Sequence, residues 1–125
     1  MVAPNIVGVT TITGITTSIS LANTSANVIV SNPANSQYVY KINSIIVAND
    51  DGAATANITL NLHDSASGAG TATRLAFAID VSAKSTLVIL DKASSIYLPE
   101  NASITATASA ANDLDVTCSY EAIID

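Results

Sequence analysis

The chain has 125 residues, 49% of them hydrophobic, and a formal net charge of −6. It holds one His, one Cys, no Trp and only four Lys plus Arg. Lys41, Arg74, Lys84 and Lys92 are scattered, which excludes the clustered cations of a nucleic-acid surface, and a catalytic centre is hard to assemble from so few titratable or nucleophilic side chains.

The length fits one domain able to bury a core. Many inward positions must be Ala, Val or Ile, because the aromatic residues are only Tyr38, Tyr40, Phe77, Tyr97 and Tyr120. Such a light core gains from association with neighbouring subunits. The start, Met1-Val2-Ala3-Pro4-Asn5, lacks a basic n-region and a continuous apolar run, so no signal peptide is expected. No uninterrupted apolar run reaches the roughly 18 residues of a membrane span.

Residues 1–20 read as an N-terminal arm ahead of a sandwich domain at 21–125. The stretch from Val9 to Ile19 is uncharged, β-branched and low in complexity. Its β propensity is strong, and on an isolated subunit it would be a sticky edge. It serves either as an arm that pairs with another subunit or as the first strand of the domain.

From residue 26 onward the period is two. Ile58, Leu60 and Leu62 share one face of a strand, with His63 opposite. Leu75, Phe77, Ile79 and Val81 form a second apolar face. Ile104, Ala106 and Ala108 form a third, and Leu114, Val116, Cys118 and Tyr120 a fourth. Ile45, Ile46 and Val47 are consecutive, as are Leu87, Val88, Ile89 and Leu90, which predicts strands covered on both sides, near a subunit contact. Turn signals fall between the runs at Ser31–Asn35, Asn49–Gly52, Ser65–Gly70, Ala83–Ser85, Pro99–Asn101 and Ala110–Asp113. No helical stripe persists. The fold class is all-β: an antiparallel β-sandwich, jelly-roll-like, of about eight strands with an extended N-terminal arm.

Candidate chemistry is thin. His63 is the only imidazole, and its neighbour Asp64 points to the opposite face of a strand, so no triad forms from the pair. Cys118 sits on a core face with no cation near it in sequence, the setting of an inert thiol. The carboxylates around Asn49-Asp50-Asp51-Gly52 lack calcium-loop spacing, and Asp-Gly is a turn signal first. Gly68-Ala69-Gly70 precedes no helix that would hold a phosphate. Tyr97, between Ile96 and Leu98, is the tyrosine open to a glycan-stacking reading. No catalytic residue, metal ligand or cofactor site is assigned.

The ordered segments carry a resemblance. Tyr40-Lys41-Ile42-Asn43-Ser44-Ile45-Ile46-Val47-Ala48-Asn49 leads into an Asp-Gly turn and a Thr/Asn-alternating strand. Ser85-Thr86-Leu87-Val88-Ile89 follows, then Ser95-Ile96-Tyr97-Leu98-Pro99-Glu100-Asn101-Ala102-Ser103-Ile104-Thr105-Ala106, and finally Val116-Thr117-Cys118-Ser119-Tyr120-Glu121. Over about residues 26–124 this resembles small β-sandwich virion proteins of tailed bacteriophages, most closely those of marine cyanobacterial phages. Such proteins often carry Glu-Gly-Asp before the penultimate strand. Here Glu100-Asn101-Ala102 stands instead, and Asn also tolerates left-handed backbone.

The resemblance implies a non-enzymatic particle component in many copies, with no catalytic residues to carry over. The expected role is a capsid decoration (cement) protein on the virion surface. It would contact the major capsid protein or other virion proteins and form a homo-oligomer, a trimer being one closed symmetry, without nucleic acid or membrane. A neck, collar or tail-fibre component and a glycan-binding adhesin module are the alternatives. The expected contact residues are Val7, Val9, Ile12, Ile15 and Ile19 in the arm, with Tyr38, Tyr40, Ile45 and Val47 beyond it.

Overall fold

Alternating apolar and polar residues, broken by Gly, Asn, Asp and Pro, build nine strands among the described residues, where the pattern predicted about eight. They are β1 (Thr11–Ser20), β2 (Asn27–Asn32), β3 (Val39–Asn49), β4 (Ala56–His63), β5 (Ala72–Val81), β6 (Thr86–Leu90), β7 (Ile96–Leu98), β8 (Ala102–Ala108) and β9 (Leu114–Ile124). The computed structural model describes residues 4–125. Residues 1–3, the start of the stretch read for a signal peptide and of the arm, lie outside the described residues.

The strands form two antiparallel sheets. One runs β1-β9-β3-β6, with β7 beside β6 on the same flank of β3, and the other runs β2-β8-β4-β5. The pairings nest: β1 with β9, β2 with β8, β3 with β7, β4 with β5. The chain therefore pairs as one long hairpin rolled across two layers. Its core lies between the layers, where Ile42, Ile45, Val47, Ile58, Leu60, Ile104, Leu114 and Val116 are all buried. Burying each such aliphatic side chain is worth roughly 1.5–3 kcal/mol.

Thr11–Ser20, in the stretch read above as either an arm or the first strand of the domain, pairs with β9 of its own chain. The register runs without a break from Thr11↔Ile124 to Ser20↔Asp115. Thr17 Oγ1 also donates to the Ile29 carbonyl of β2 at 3.4 Å, tying the first sheet to the second at this flank.

Two expectations need correction. Ile45 and Val47 are both 0% exposed. A register shift at Asn43 turns both inward, opposite Cys118 and Val116 of β9, so neither offers a contact to another subunit. Phe77, placed by alternation in the core, is 62% exposed. The β4–β5 ladder shifts register twice, between Ile58 and Leu60 and again between Leu60 and Asn61. Ala78 stands at the first shift with φ 49°. Each bulge inserts a residue and resets the alternation. Thr73, Ala76, Ile79 and Val81 therefore pair opposite the inward Leu62, Leu60, Ile58 and Ala56, and Phe77 is thrown outward.

The turn that replaces Glu-Gly-Asp is also resolved. Asn101 has φ 55°, the left-handed region glycine would occupy, and its Oδ1 accepts the Ala66 amide at 3.0 Å.

Candidate interaction surface

Of the expected contact residues, Val7 is 93% exposed, just after a small turn in which Asn5 Oδ1 accepts the Val7 amide at 3.1 Å. Val9 is half-buried. Ile12 is 56% exposed on the outer face of β1. Ile15 and Ile19 share the other face with Thr17 and are half-buried towards the second sheet. Tyr38 and Tyr40 are half-buried in a row with Tyr120, with ring centroids 6.0 Å and 4.9 Å apart along it. Burial, and then the neighbouring phenol, raises the pKa of both Tyr40 and Tyr120. The structure thus gathers β1 and the N-terminal segment on one flank and the tyrosine row on the inner side of β3 and β9.

The large exposed apolar side chains share one property. Ile6 and Val7 lie in the N-terminal segment, and Ile12 and Val28 lie on the edge strands β1 and β2. Phe77 and Ile79 lie on the edge strand β5, and Val88 and Tyr97 on β6 and β7, which share the remaining edge. None stands on the central strands β3, β4, β8 or β9. Arg74 covers the Phe77 ring, its guanidinium carbon 3.7 Å from the centroid. The sequence reading did not place Ile6, Val28, Phe77 or Ile79 at the surface. Val88 belongs to the continuous run Leu87–Leu90, read above as covered on both sides; in the folded chain Leu87 and Ile89 are half-buried and Val88 is exposed.

The chemistry-bearing residues are held in structural roles. His63 lies opposite the Leu60 face, as the alternation predicts, yet it is buried rather than solvent-facing. The loop Ser65–Gly70 folds over that face: Gly68 donates its amide to Ser103 Oγ at 2.8 Å, and Ser103 donates to the Ser65 carbonyl at 2.7 Å. Beneath it His63 Nε2 meets Thr105 Oγ1 at 2.9 Å, and Nδ1 has no hydrogen-bond partner. Cys118 is buried, and burial pushes its pKa up to about 12. Asp51 Oδ1 accepts the amides of Ala53 and Ala54 at 2.8 and 3.1 Å, which lowers its pKa and makes it a turn-former. Among the described residues no three His, Cys, Asp or Glu side chains gather as a metal site would need. A mostly apolar cavity of about 250 Å³ opens beside Leu62, Thr73, Pro99 and Ala102.

No family model and no curated protein matches the chain in sequence. Solved structures do match it. A chain from the disulfide-linked pili of Bacillus endospore appendages aligns over 91% of this chain and 88% of its own, with 22% identity and a TM-score of 0.53. A chain of the cyanophage Pam1 capsid asymmetric unit aligns over 100% of this chain and 93% of its own, with 13% identity and a TM-score of 0.40. The pilus likeness is one of fold. The capsid likeness is too distant to carry an argument.

Proposed function

We propose that this chain is a non-enzymatic structural subunit of a virion, a capsid decoration protein that packs laterally against its neighbours. One observation carries the reading. Among the described residues, every large exposed apolar side chain sits on an edge strand or on the N-terminal segment, where sideways neighbours would cover it. Scattered exposed apolar residues need no explanation, but their restriction to the rims of a sandwich marks contact surface. The resemblance of the ordered segments to small cyanophage virion proteins supports this kind of assembly. Many weak rim contacts, repeated over a shell, sum to a large stabilisation.

A filament subunit is the second reading, favoured by the fold likeness to the endospore pilus chain. That protein belongs to disulfide-linked pili. The single Cys of this chain is buried in the core, so its own contacts would be non-covalent.

Antibody-labelled electron microscopy of purified particles tests the proposal. Label spread over the head is the expected result. Label confined to the tail, or to filaments, or absent from particles, overturns it.

A further inference from the structure

The four sheet edges are not alike. Natural sheets guard exposed edges with charges, bulges, short strands or covering groups, because a bare edge recruits other strands. The β5 edge carries Arg74 and Asp80 and two register shifts. The β6/β7 edge is made of five- and three-residue pieces interrupted by Asp91 and Lys92. The β2 edge is six residues long with a register shift after Val28, and Thr17 already occupies its Ile29 carbonyl. The β1 edge has none of these devices. It is ten residues long, paired without a shift, free of charge, and its outer side meets no strand among the described residues.

Charge points the same way. The chain as a whole is at −6, yet no charged side chain precedes Lys41 in the sequence. That neutral stretch includes both β1 and β2, the two strands forming one flank of the sandwich. The opposite flank carries Arg74, Asp80, Asp91 and Lys92. Copies of an acidic chain repel each other least through their neutral side.

We infer that the β1 edge is a homotypic interface, where a second copy of this chain adds its own β1 antiparallel to the first and fuses the two β1-containing sheets into one. The partner must be an extended strand, because the groups on offer are a row of backbone donors and acceptors. A two-fold axis makes the pairing antiparallel and self-complementary. The nearest carboxylates in the sheet, Glu121 and Asp115, sit one strand in, opposite Gly14 and Ser20, and Asp125, just beyond β9 at the Thr11 end, accepts the Asn5 amide at 3.3 Å. In the pair, the two β9 strands would be three strand spacings apart, about 14 Å. That exceeds the screening length of roughly 8 Å at physiological salt. The other edges of a second copy are guarded, so its β1 is the edge that fits. The inference deepens the assembly reading by naming the contact within it.

Sedimentation equilibrium of the purified full chain tests this, with backbone hydrogen exchange at low and high protein concentration. The expected result is a reversible dimer of the 12.7 kDa chain, with amide protection that rises with concentration across residues 11–20. Thr16→Asp with Ser18→Asp places like charges across the two-fold and should weaken the dimer about a hundredfold or more. The same charges on β6, Thr86→Asp with Val88→Asp, should leave it intact. A wild-type chain that stays monomeric, a dimer indifferent to the β1 charges, or one lost through β6 instead overturns the inference. If the β1 variant fails to fold, the wild-type exchange pattern decides. A monomer that still labels phage heads would sink the β1 pairing and leave the virion reading standing. A dimer absent from particles would do the reverse.

Discussion

The side-chain amide of Asn32 donates to the Leu98 carbonyl at 3.1 Å, joining the end of β2 in one sheet to β7 in the other. The same nitrogen donates to the Tyr38 carbonyl at 2.9 Å, and its oxygen accepts from Ser36 Oγ. Asn49 repeats the device at the far end of β3. Its amide nitrogen donates to Val81 of β5 at 2.8 Å and to Ala54 at 3.0 Å, while its oxygen accepts the Asp51 amide at 2.9 Å. A thin aliphatic core is thus bolted at both ends by buried amides with donors and acceptor all used.

Replacing either amide strands buried backbone carbonyls. Asn32→Ala and Asn49→Ala should each cost about 2–3 kcal/mol, the desolvation penalty of the groups left unpaired. Urea denaturation followed by circular dichroism reads this as a lower midpoint with an unchanged slope. A loss under about 0.5 kcal/mol, the range of an ordinary surface substitution, would show that water takes over the role.

Phe77 should behave as a surface residue. A core Phe→Ala change costs about 3–5 kcal/mol. With its ring outside the core and held by Arg74, Phe77→Ala should cost no more than about 1 kcal/mol, the scale of an exposed cation–π contact. The same denaturation experiment checks it, and Ile58→Ala, at a fully buried position on the neighbouring strand, is the internal comparison.

These residues mark where the sequence was legible. Alternation placed Ile58, Leu60, Ile104, Leu114 and Val116 in the core correctly because their strands keep an unbroken period of two there. It failed at Phe77 because of a bulge, and a second bulge decides which residues of the continuous run Ile45-Ile46-Val47 turn inward. A bulge inserts a residue, reverses the parity of everything beyond it, and leaves no compositional mark at Asn43 or Ala78. His63 was assigned to the right face but not to burial, since the cover comes from a loop whose fold-back depends on long-range bonds to Ser103 and Asn101. The interaction surface was partly legible. The uncharged run in β1 was visible, whereas the guarding of the other edges required knowing which strands are edges.

That fold-back can be tested at its two ends. Gly70 has φ 75°, and a Cβ there would collide with Asp64 Oδ1, which accepts the Thr71 amide at 2.7 Å. Gly70→Ala should therefore cost more than about 1 kcal/mol, beyond the usual glycine-to-alanine scale, because both the conformation and the space are wrong. Asn101→Gly keeps the left-handed backbone but loses the bond to Ala66, so its cost should stay near 1 kcal/mol, about one hydrogen bond. Asn101→Val adds backbone strain of about 1–3 kcal/mol on top. The His63 ring reports the outcome directly: its proton resonances should shift towards free-imidazole values in Gly70→Ala as the loop lifts from the face.

The pH dependence of stability follows from Cys118. Burial raises its folded pKa from an ordinary 9.0 to about 12. Below pH 9 both the folded and unfolded thiols are protonated, so this group adds no slope. Between 9 and 12 the unfolded thiol ionises while the folded one does not. The unfolded state then holds fewer protons, and stability falls as pH rises, by at most about 1.4 kcal/mol per pH unit. Tyr40 and Tyr120, both raised by burial, tilt the curve in the same direction once pH passes their ordinary 10.0. Urea midpoints from pH 7 to 10.5 should stay level in this respect up to about 9 and then decline, and Cys118→Ala should flatten the first part of that decline. In the folded protein a disulfide reagent at pH 8 should label the thiol only as fast as the chain opens. Labelling at the rate of a free thiol would show that Cys118 is reached from solvent and would remove the basis for the predicted slope.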